Sequence, residues 1–147
     1  MADIFFDGFD DLERMFGKLA DFPKPVIKEM LEAQESVIVP AQRAAAPKRT
    51  GKLAGSIAGD PVVLSFDGGR KDIYPKGVHH TSAKSRYRGG GGGSRAVTNA
   101  EVGFIHEYGA PKRHIRARQW MQQANDKATD QAVEKSAEVL NKYIDSL

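Results

Sequence analysis

A proline-bounded amphipathic stretch places the strongest limit on the fold of this chain. Residues 23–46 start with prolines that suit the first turn of a helix, and Pro47 follows where a helix would stop. Within the stretch, apolar residues recur at steps of three and four and face away from most of the charges. They are Val26, Ile27, Met30, Leu31, Val37, Ile38, Ala41, Ala44 and Ala45. The pattern predicts a helix about 35 Å long, with a kink or break at Pro40.

A second amphipathic stretch closes the chain. Residues 118–147 contain no Gly or Pro and repeat small or apolar residues at helical spacing. The repeated positions are Met121, Ala124, Ala128, Ala132, Leu140, Tyr143 and Leu147. The opposite face carries Gln123, Asp126, Asp130, Glu134 and Glu138. This pattern predicts a C-terminal helix over residues 118–147.

The sequence between the two helices is typical of short strands. Residues 53–59 and 61–67 are rich in apolar and β-branched types and are separated by Asp60-Pro61, which predicts a β-hairpin over residues 53–67. A further strand is expected over residues 96–109, and Gly109 would permit a positive φ at its end. On a regular strand, Leu53 and Ile57 would face the same core side.

Residues 70–95 do not resemble a core-forming segment. They hold seven Lys or Arg against one acidic residue, Asp72, and five consecutive glycines. This composition predicts a long, mobile, basic loop that becomes ordered only when something binds it. The segment before the first helix, residues 1–22, predicts an N-terminal arm with a short helix, and its phenylalanines cover either its own core or a neighbour.

These elements together predict an α+β fold. A small antiparallel sheet of three or four strands is packed by the long N-terminal helix and by the C-terminal helix. The length of 147 residues fits a single domain over residues 1–147. We expect a soluble protein made in a cytoplasm, because no apolar run is as long as a membrane span and the N-terminus is acidic where a secretory signal is basic.

The sequence offers little for catalysis. The absence of cysteine excludes disulfides, Cys-ligated zinc and a thiol nucleophile. The histidines lack metal-ligand spacing, and no serine lies in a nucleophile-elbow motif; they are His79, His80, His106 and His114. The glycine run leads into Ser94-Arg95 and not into the Gly-Lys-Ser/Thr of a phosphate-binding loop. We therefore predict a non-enzyme with no cofactor and no metal.

Charge is strongly segregated along the chain. Residues 1–42 carry a net charge of −5, residues 43–118 carry +10 and residues 119–147 carry −2. The basic residues fall into three clusters, the second of which includes a tyrosine. The clusters are Lys48, Arg49 and Lys52; Lys84, Arg86, Tyr87, Arg88 and Arg95; and Lys112, Arg113, Arg116 and Arg118. Such clusters serve either nucleic-acid phosphates, with the tyrosine stacking on a base, or acidic surfaces on other copies of the chain.

Two stretches of the sequence resemble one protein family. The first runs Ala-Pro-Lys-Arg-Thr-Gly-Lys-Leu and continues to Ser-Ile; its motif positions are Pro47, Thr50, Gly51, Leu53, Ser56 and Ile57. The second is an apolar stretch that ends in Glu107, Tyr108 and Gly109. In this order the two resemble the small tail-component and head–tail joining proteins of tailed bacteriophages, over roughly residues 25–147.

The resemblance implies a structural virion protein and no catalysis. Its place would be the neck, as a tail-completion ring of six copies between the head connector and the tail tube, assembled in the host bacterial cytoplasm. Its partners would be itself, other neck and connector proteins, the tail terminator and the tail tube, with non-specific DNA contact in the lumen and no membrane. The three basic clusters would supply subunit contacts or face the DNA. The alternative is a sequence-independent nucleic-acid-binding protein that uses the basic central region.

Overall fold

The computed structural model describes residues 23–66, 68–82 and 95–147. Its helices are α1 (Lys24–Ala45), α2 (Lys52–Ser56), α3 (Asn99–Tyr108) and α4 (Trp120–Asp145). Its strands are β1 (Ile57–Gly59), β2 (Val63–Leu64), β3 (Gly69–Arg70), β4 (Ile73–Pro75), β5 (Val78–Ser82) and β6 (Arg95–Thr98). The predicted α+β class is confirmed. The predicted N-terminal arm, residues 1–22, lies outside the described residues.

The two long helices are present as predicted. Helix α1 begins directly after Pro23, continues through Pro40 as one element and ends at Ala45, two residues before Pro47. Helix α4 covers Trp120–Asp145. Among the described residues, no helix combines the length and apolarity that a bilayer crossing requires.

Helices α1 and α4 pack along each other and form the main layer of the fold. Gln42, near the end of α1, donates from Nε2 to Oδ1 of Asn125, near the start of α4, at 2.8 Å. Because the end of α1 meets the start of α4 and the two helices pack along their lengths, they run antiparallel. The buried face of α4 consists of small residues four apart, namely Ala124, Ala128, Ala132 and Ser136. Small side chains at these positions allow the helices to approach closely.

Within the described residues, the strands form three two-stranded antiparallel pairs, not one sheet of three or four strands. Strand β1 pairs with β4, so that Ile57 lies opposite Pro75; β2 pairs with β3, and β5 with β6. The predicted hairpin over residues 53–67 is therefore wrong. Residues 52–56 form the helical turn α2 after Gly51, whose φ is +76°, and only Ile57–Gly59 remains extended. The strand after Asp60-Pro61 pairs instead with β3, its immediate neighbour across a tight turn.

The predicted loop over residues 70–95 is wrong for residues 70–82. Strands β4 and β5 lie here, and all three Lys or Arg residues of 70–82 have acidic partners. The Nε atom of Arg70 lies 3.3 Å from Asp72. The Nζ atom of Lys71 lies 2.8 Å from Glu35 of α1, and Nζ of Lys76 lies 2.5 Å from Asp60. These ion pairs stabilise a segment that its net positive charge had predicted to be a mobile loop. Residues 83–94, with the glycine run, lie outside the described residues.

The predicted strand over residues 96–109 is also wrong beyond Thr98. Strand β6 ends there, and Asn99–Tyr108 is helix α3. A reciprocal capping box starts the helix: Thr98 Oγ1 accepts from Glu101 N at 3.1 Å, while Glu101 Oε2 accepts from Thr98 N at 2.9 Å. Gly109 ends it with a φ of +79°, which is the positive φ that was predicted.

The main core cluster joins the ends of these elements. It consists of Ala46, Leu53, Ile57 and Trp120, all buried, with Ile57 fully enclosed. Leu53 and Ile57 thus share one core, although through a helical turn and not through a strand. The indole Nε1 of Trp120 donates to the Gly103 carbonyl at 3.1 Å, which fixes the start of α4 against α3.

Candidate cationic binding cavity

A cavity of about 480 Å³ opens where four segments meet: the turn after α1, strand β5, helix α3 and the segment that leads into α4. We call it the cationic cavity. Its cationic side chains are Lys48, Arg49, Arg113 and Arg118. Its imidazoles are His79, His80 and His106, and its large apolar side chains are Leu53, Val102, Ile105 and Ile115. No carboxylate of the described residues lines it.

Backbone geometry fixes the first wall of the cavity. Pro47 ends α1, and Gly51 takes the left-handed backbone conformation that reverses the chain into α2. Thr50 Oγ1 accepts weakly from Lys52 N at 3.4 Å, and Lys52 Nζ donates to the His79 carbonyl at 3.3 Å. The turn is thereby tied to strand β5.

The opposite wall follows helix α3. After Gly109, Ala110 and Ile115 exchange backbone hydrogen bonds of 2.9 and 3.1 Å around a short 3₁₀ turn, Pro111–Arg113. Arg118 then donates from its backbone N–H to the His106 carbonyl at 2.9 Å. These bonds direct Arg113 and Arg118 to the same opening as Lys48 and Arg49.

The four cations of the cavity are all exposed. Within the described part of the chain, no carboxylate comes within 4.0 Å of any of them. Four like charges around one concave surface produce a positive potential that attracts anions. The cavity is therefore chemically suited to bind an anionic group.

His106 is a partly buried titratable group of the cavity. Its Nδ1 atom is buried, without a hydrogen-bond partner among the described residues. Burial, and secondly the charge of Arg118, lower the pKa of His106 below 6.5. The imidazole is therefore neutral at pH 7. Beside it, the partly buried His79 and the exposed His80 bring their Nδ1 atoms to 2.9 Å.

The carboxylate of Glu107, next in sequence to His106, has a structural use. It accepts backbone N–H bonds from Met121 at 2.7 Å and from Gln122 at 3.1 Å, in the first turn of α4. Both oxygens are thus occupied at the helix start, and Glu107 does not orient His106. Across the described residues, no group of three or more His, Asp or Glu side chains is placed to hold a metal ion.

The structure brings together the first and third of the predicted basic clusters. Lys52 lies beside the cavity, whereas Lys112 and Arg116 are exposed and do not line it. In the second cluster Arg95 opens strand β6. Its remaining members, Lys84, Arg86, Tyr87 and Arg88, lie outside the described residues.

The residues of the family motif divide between the cavity and the core. Pro47, Thr50 and Leu53 line the cavity, and Ile57 is in the core. Ser56 donates from Oγ to the Leu53 carbonyl at 2.7 Å, which closes α2. Glu107 and Gly109 serve the ends of helices, whereas Tyr108 points outward and is 65% exposed.

An aromatic groove was not predicted from the sequence. Phe104 and Tyr108, one turn apart on α3, bring their ring centroids to 4.7 Å. With Tyr74 and Met121 they line a cavity of about 490 Å³ that has Asp126 at its edge. The Thr-x-x-Glu capping pattern at residues 98–101, followed by aromatics four apart, is the signal that could have revealed this helix and its aromatic face.

Comparison of the chain with protein-family models, with curated proteins and with solved structures finds no match.

Proposed function

We propose that this chain is a structural subunit of a tailed phage or phage-like particle, in a neck or tail-completion ring that joins head to tail. The observation that carries the proposal is the packing of the two motif stretches. They lie far apart in the sequence, yet a Cβ atom added at Gly103 would lie 3.5 Å from Leu53 and 3.4 Å from Trp120. The residues of these stretches serve turns, caps and packing, as expected of a structural subunit.

Exposed apolar side chains support an assembled state. Phe66 is fully exposed at the β2–β3 turn, and Phe104 is 62% exposed on α3. Along α1, the buried residue is Gln42, and the large apolar residues stay only partly covered. Apolar surface of this kind marks contacts with other proteins.

Complementary charges on one chain support a ring of identical subunits. The cationic cavity is one charged surface. The other is the acidic part of the chain before residue 43, since residues 1–42 carry a net charge of −5. Two different surfaces that attract each other produce head-to-tail contacts, which close into a ring when the rotation permits. The resemblance to neck proteins suggests six copies, with connector, terminator and tube proteins above and below.

Light scattering coupled to size exclusion, followed by electron microscopy, tests this proposal. We expect the purified chain to form a discrete oligomer with ring-shaped projections, and the same chain to be present at the neck of purified particles. A strict monomer that is absent from such particles would reject the proposal.

The convergence of two basic clusters also favours a second candidate, sequence-independent binding of nucleic acid. Fluorescence anisotropy with a short DNA duplex separates the two. A nucleic-acid-binding protein would bind the duplex with a sub-micromolar Kd that rises steeply with salt concentration. The double variant Arg49→Gln with Arg113→Gln would reduce the slope of log Kd against log salt concentration by about 2. A ring subunit would bind DNA weakly as a monomer.

A further inference from the structure

We propose that the cationic cavity binds the acidic, aromatic N-terminal segment, residues 3–13, of a second copy of this chain. The inference rests on the proposed function, which it deepens by naming the contact that links one subunit to the next. Its basis is the match between the side chains of the cavity and the sequence of this segment.

The cavity combines two chemistries. Leu53, Val102, Ile105 and Ile115 provide an apolar lining, and four Lys or Arg side chains surround it. Leu53 is buried in the core, and Val102 packs against the same cluster. A ligand that used both features would carry large apolar side chains with carboxylates between them.

Residues 3–13 have this composition. Their sequence is Asp-Ile-Phe-Phe-Asp-Gly-Phe-Asp-Asp-Leu-Glu, with five carboxylates, five large apolar side chains and no Lys or Arg. Their five negative charges are complementary to the four cavity cations, which have no carboxylate partner among the described residues. The phenylalanines provide what the apolar lining would bury.

Distance favours a second copy over the segment's own chain. Helix α1 has 22 residues and is therefore about 33 Å long. The segment enters α1 at one end, and the cavity opens at the other end, directly after Ala45. The linker of residues 14–22 spans only about 30 Å even when fully extended, so it would have to run straight along the whole helix. A neighbouring copy meets no such limit.

The apolar lining also favours a peptide over nucleic acid. Contacts to DNA phosphates require exposed cations and polar donors, and the partly exposed side chains of Val102, Ile105 and Ile115 would stay unused. His106 would also add no charge at neutral pH, because its imidazole is neutral. An acidic peptide with aromatic side chains uses both the rim and the lining.

Charge reversal in the full-length chain tests the contact. One variant carries Lys48→Glu, Arg49→Glu and Arg113→Glu, which changes the net charge of the four cavity cations from +4 to −2. The second carries Asp7→Lys, Asp10→Lys and Asp11→Lys, which changes the net charge of residues 3–13 from −5 to +1. The matched control is Lys127→Glu with Lys142→Glu, two exposed positions on α4. By analytical ultracentrifugation, we expect the first two variants to lose the oligomer and the control to keep it, with all three folded by circular dichroism. An equimolar mixture of the first two should regain the oligomer, because each then offers the other an opposite charge.

Assembly of the cavity variant at the wild-type protein concentration would overturn the inference. Failure of the mixture to recover would overturn it equally.

A labelled peptide makes the test independent of assembly. Fluorescein-labelled residues 1–22 should bind the full chain at nanomolar concentration, and the cavity variant should weaken the Kd at least tenfold. Two controls show whether a loss of binding comes from the changed charges or from misfolding. The control variant should bind the peptide normally, and a peptide with Asp10 and Asp11 changed to Asn should bind the unaltered chain poorly. No peptide binding, together with tight DNA binding that Arg49→Glu abolishes, would assign the cavity to nucleic acid. Peptide binding by a chain that is absent from particles would reject the proposed function alone.

Discussion

Glu107 shows how one side chain holds two helices together. The residue before α4, Gln119, has a φ of +47° and provides no side-chain cap. The carboxylate of Glu107, which is buried in α3, accepts the N–H groups of Met121 and Gln122 instead. It therefore replaces the missing cap and places a negative charge at the positive end of the helix.

We expect Glu107→Ala to lower the free energy of unfolding by about 2 kcal/mol, because two N–H groups lose their acceptor. Glu107→Gln keeps one acceptor oxygen and should cost less. Urea unfolding followed by circular dichroism measures both. Glu134→Ala, at an exposed position on the same helix, is the control, and an equal effect of the two alanine variants would contradict the capping role.

The pKa of His106 should report the charge of its cavity. Burial and the Arg118 guanidinium both lower this pKa below 6.5. In Arg118→Gln the pKa of His106 should rise toward 6.5 but not reach it, because burial remains. The other titratable or charged groups that line the cavity are Lys48, Arg49, Arg113, His79 and His80. NMR titration of the imidazole Cε1–H measures the shift.

The sign of the linkage follows from the lowered pKa. The folded chain holds the neutral imidazole, so this contribution to stability is present above about pH 6.5 and is lost as the pH falls through the folded-state pKa. Lys127→Gln should leave the titration unchanged. A pKa in Arg118→Gln equal to that of the wild type would exclude the arginine as a cause.

The conformation of a single residue was predictable where it depends on local backbone geometry alone. The turn at Thr50-Gly51 and the positive φ of Gly109 follow from the conformational freedom of glycine. The lowered pKa of His106 was not predictable, because its causes are burial and Arg118, which approaches only when the chain folds back after α3.

At the scale of elements, the start of α3 depends on a few local hydrogen bonds. We expect Thr98→Ala to cost about 1 kcal/mol of stability, because Glu101 N loses its acceptor, and Thr98→Ser to cost little. Thermal unfolding measures the difference. Thr129→Ala on α4 serves as the control, since that hydroxyl donates to the Asn125 carbonyl within a helix that is already formed. A Thr98→Ala variant as stable as the wild type would show that the capping box is dispensable.

The sequence predicted the two long helices but not the two short ones. Helices α1 and α4 repeat their apolar pattern over six or seven turns, so the helical period is clear. Helix α2 is a single turn, and α3 contains the run Val102-Gly-Phe-Ile, which is equally typical of a strand. Strand pairing failed for another reason: β1 pairs with β4 across the whole β2–β3 unit, and no local pattern specifies that partner.

For the whole molecule, the order of helices and extended segments was sufficient to predict the α+β class. The cationic cavity could not be predicted from this order, since it requires residues near 48, 79, 106 and 118 to converge through packing of α2 on α3. The basic clusters were visible in the sequence as three separate groups. The union of the first and third into one surface, with an apolar lining, is a property of the tertiary structure alone.

The interface of α1 with α4 has one more consequence. Ala124, Ala128, Ala132 and Ser136 repeat every four residues, so a slide of α4 by about 6 Å would present almost the same contour to α1. The amide contact between Gln42 and Asn125 distinguishes the native alignment from the shifted one, as a buried polar pair does in coiled coils. Its removal would leave two alignments of similar energy, and the chain would then lack one defined position of α4 along α1.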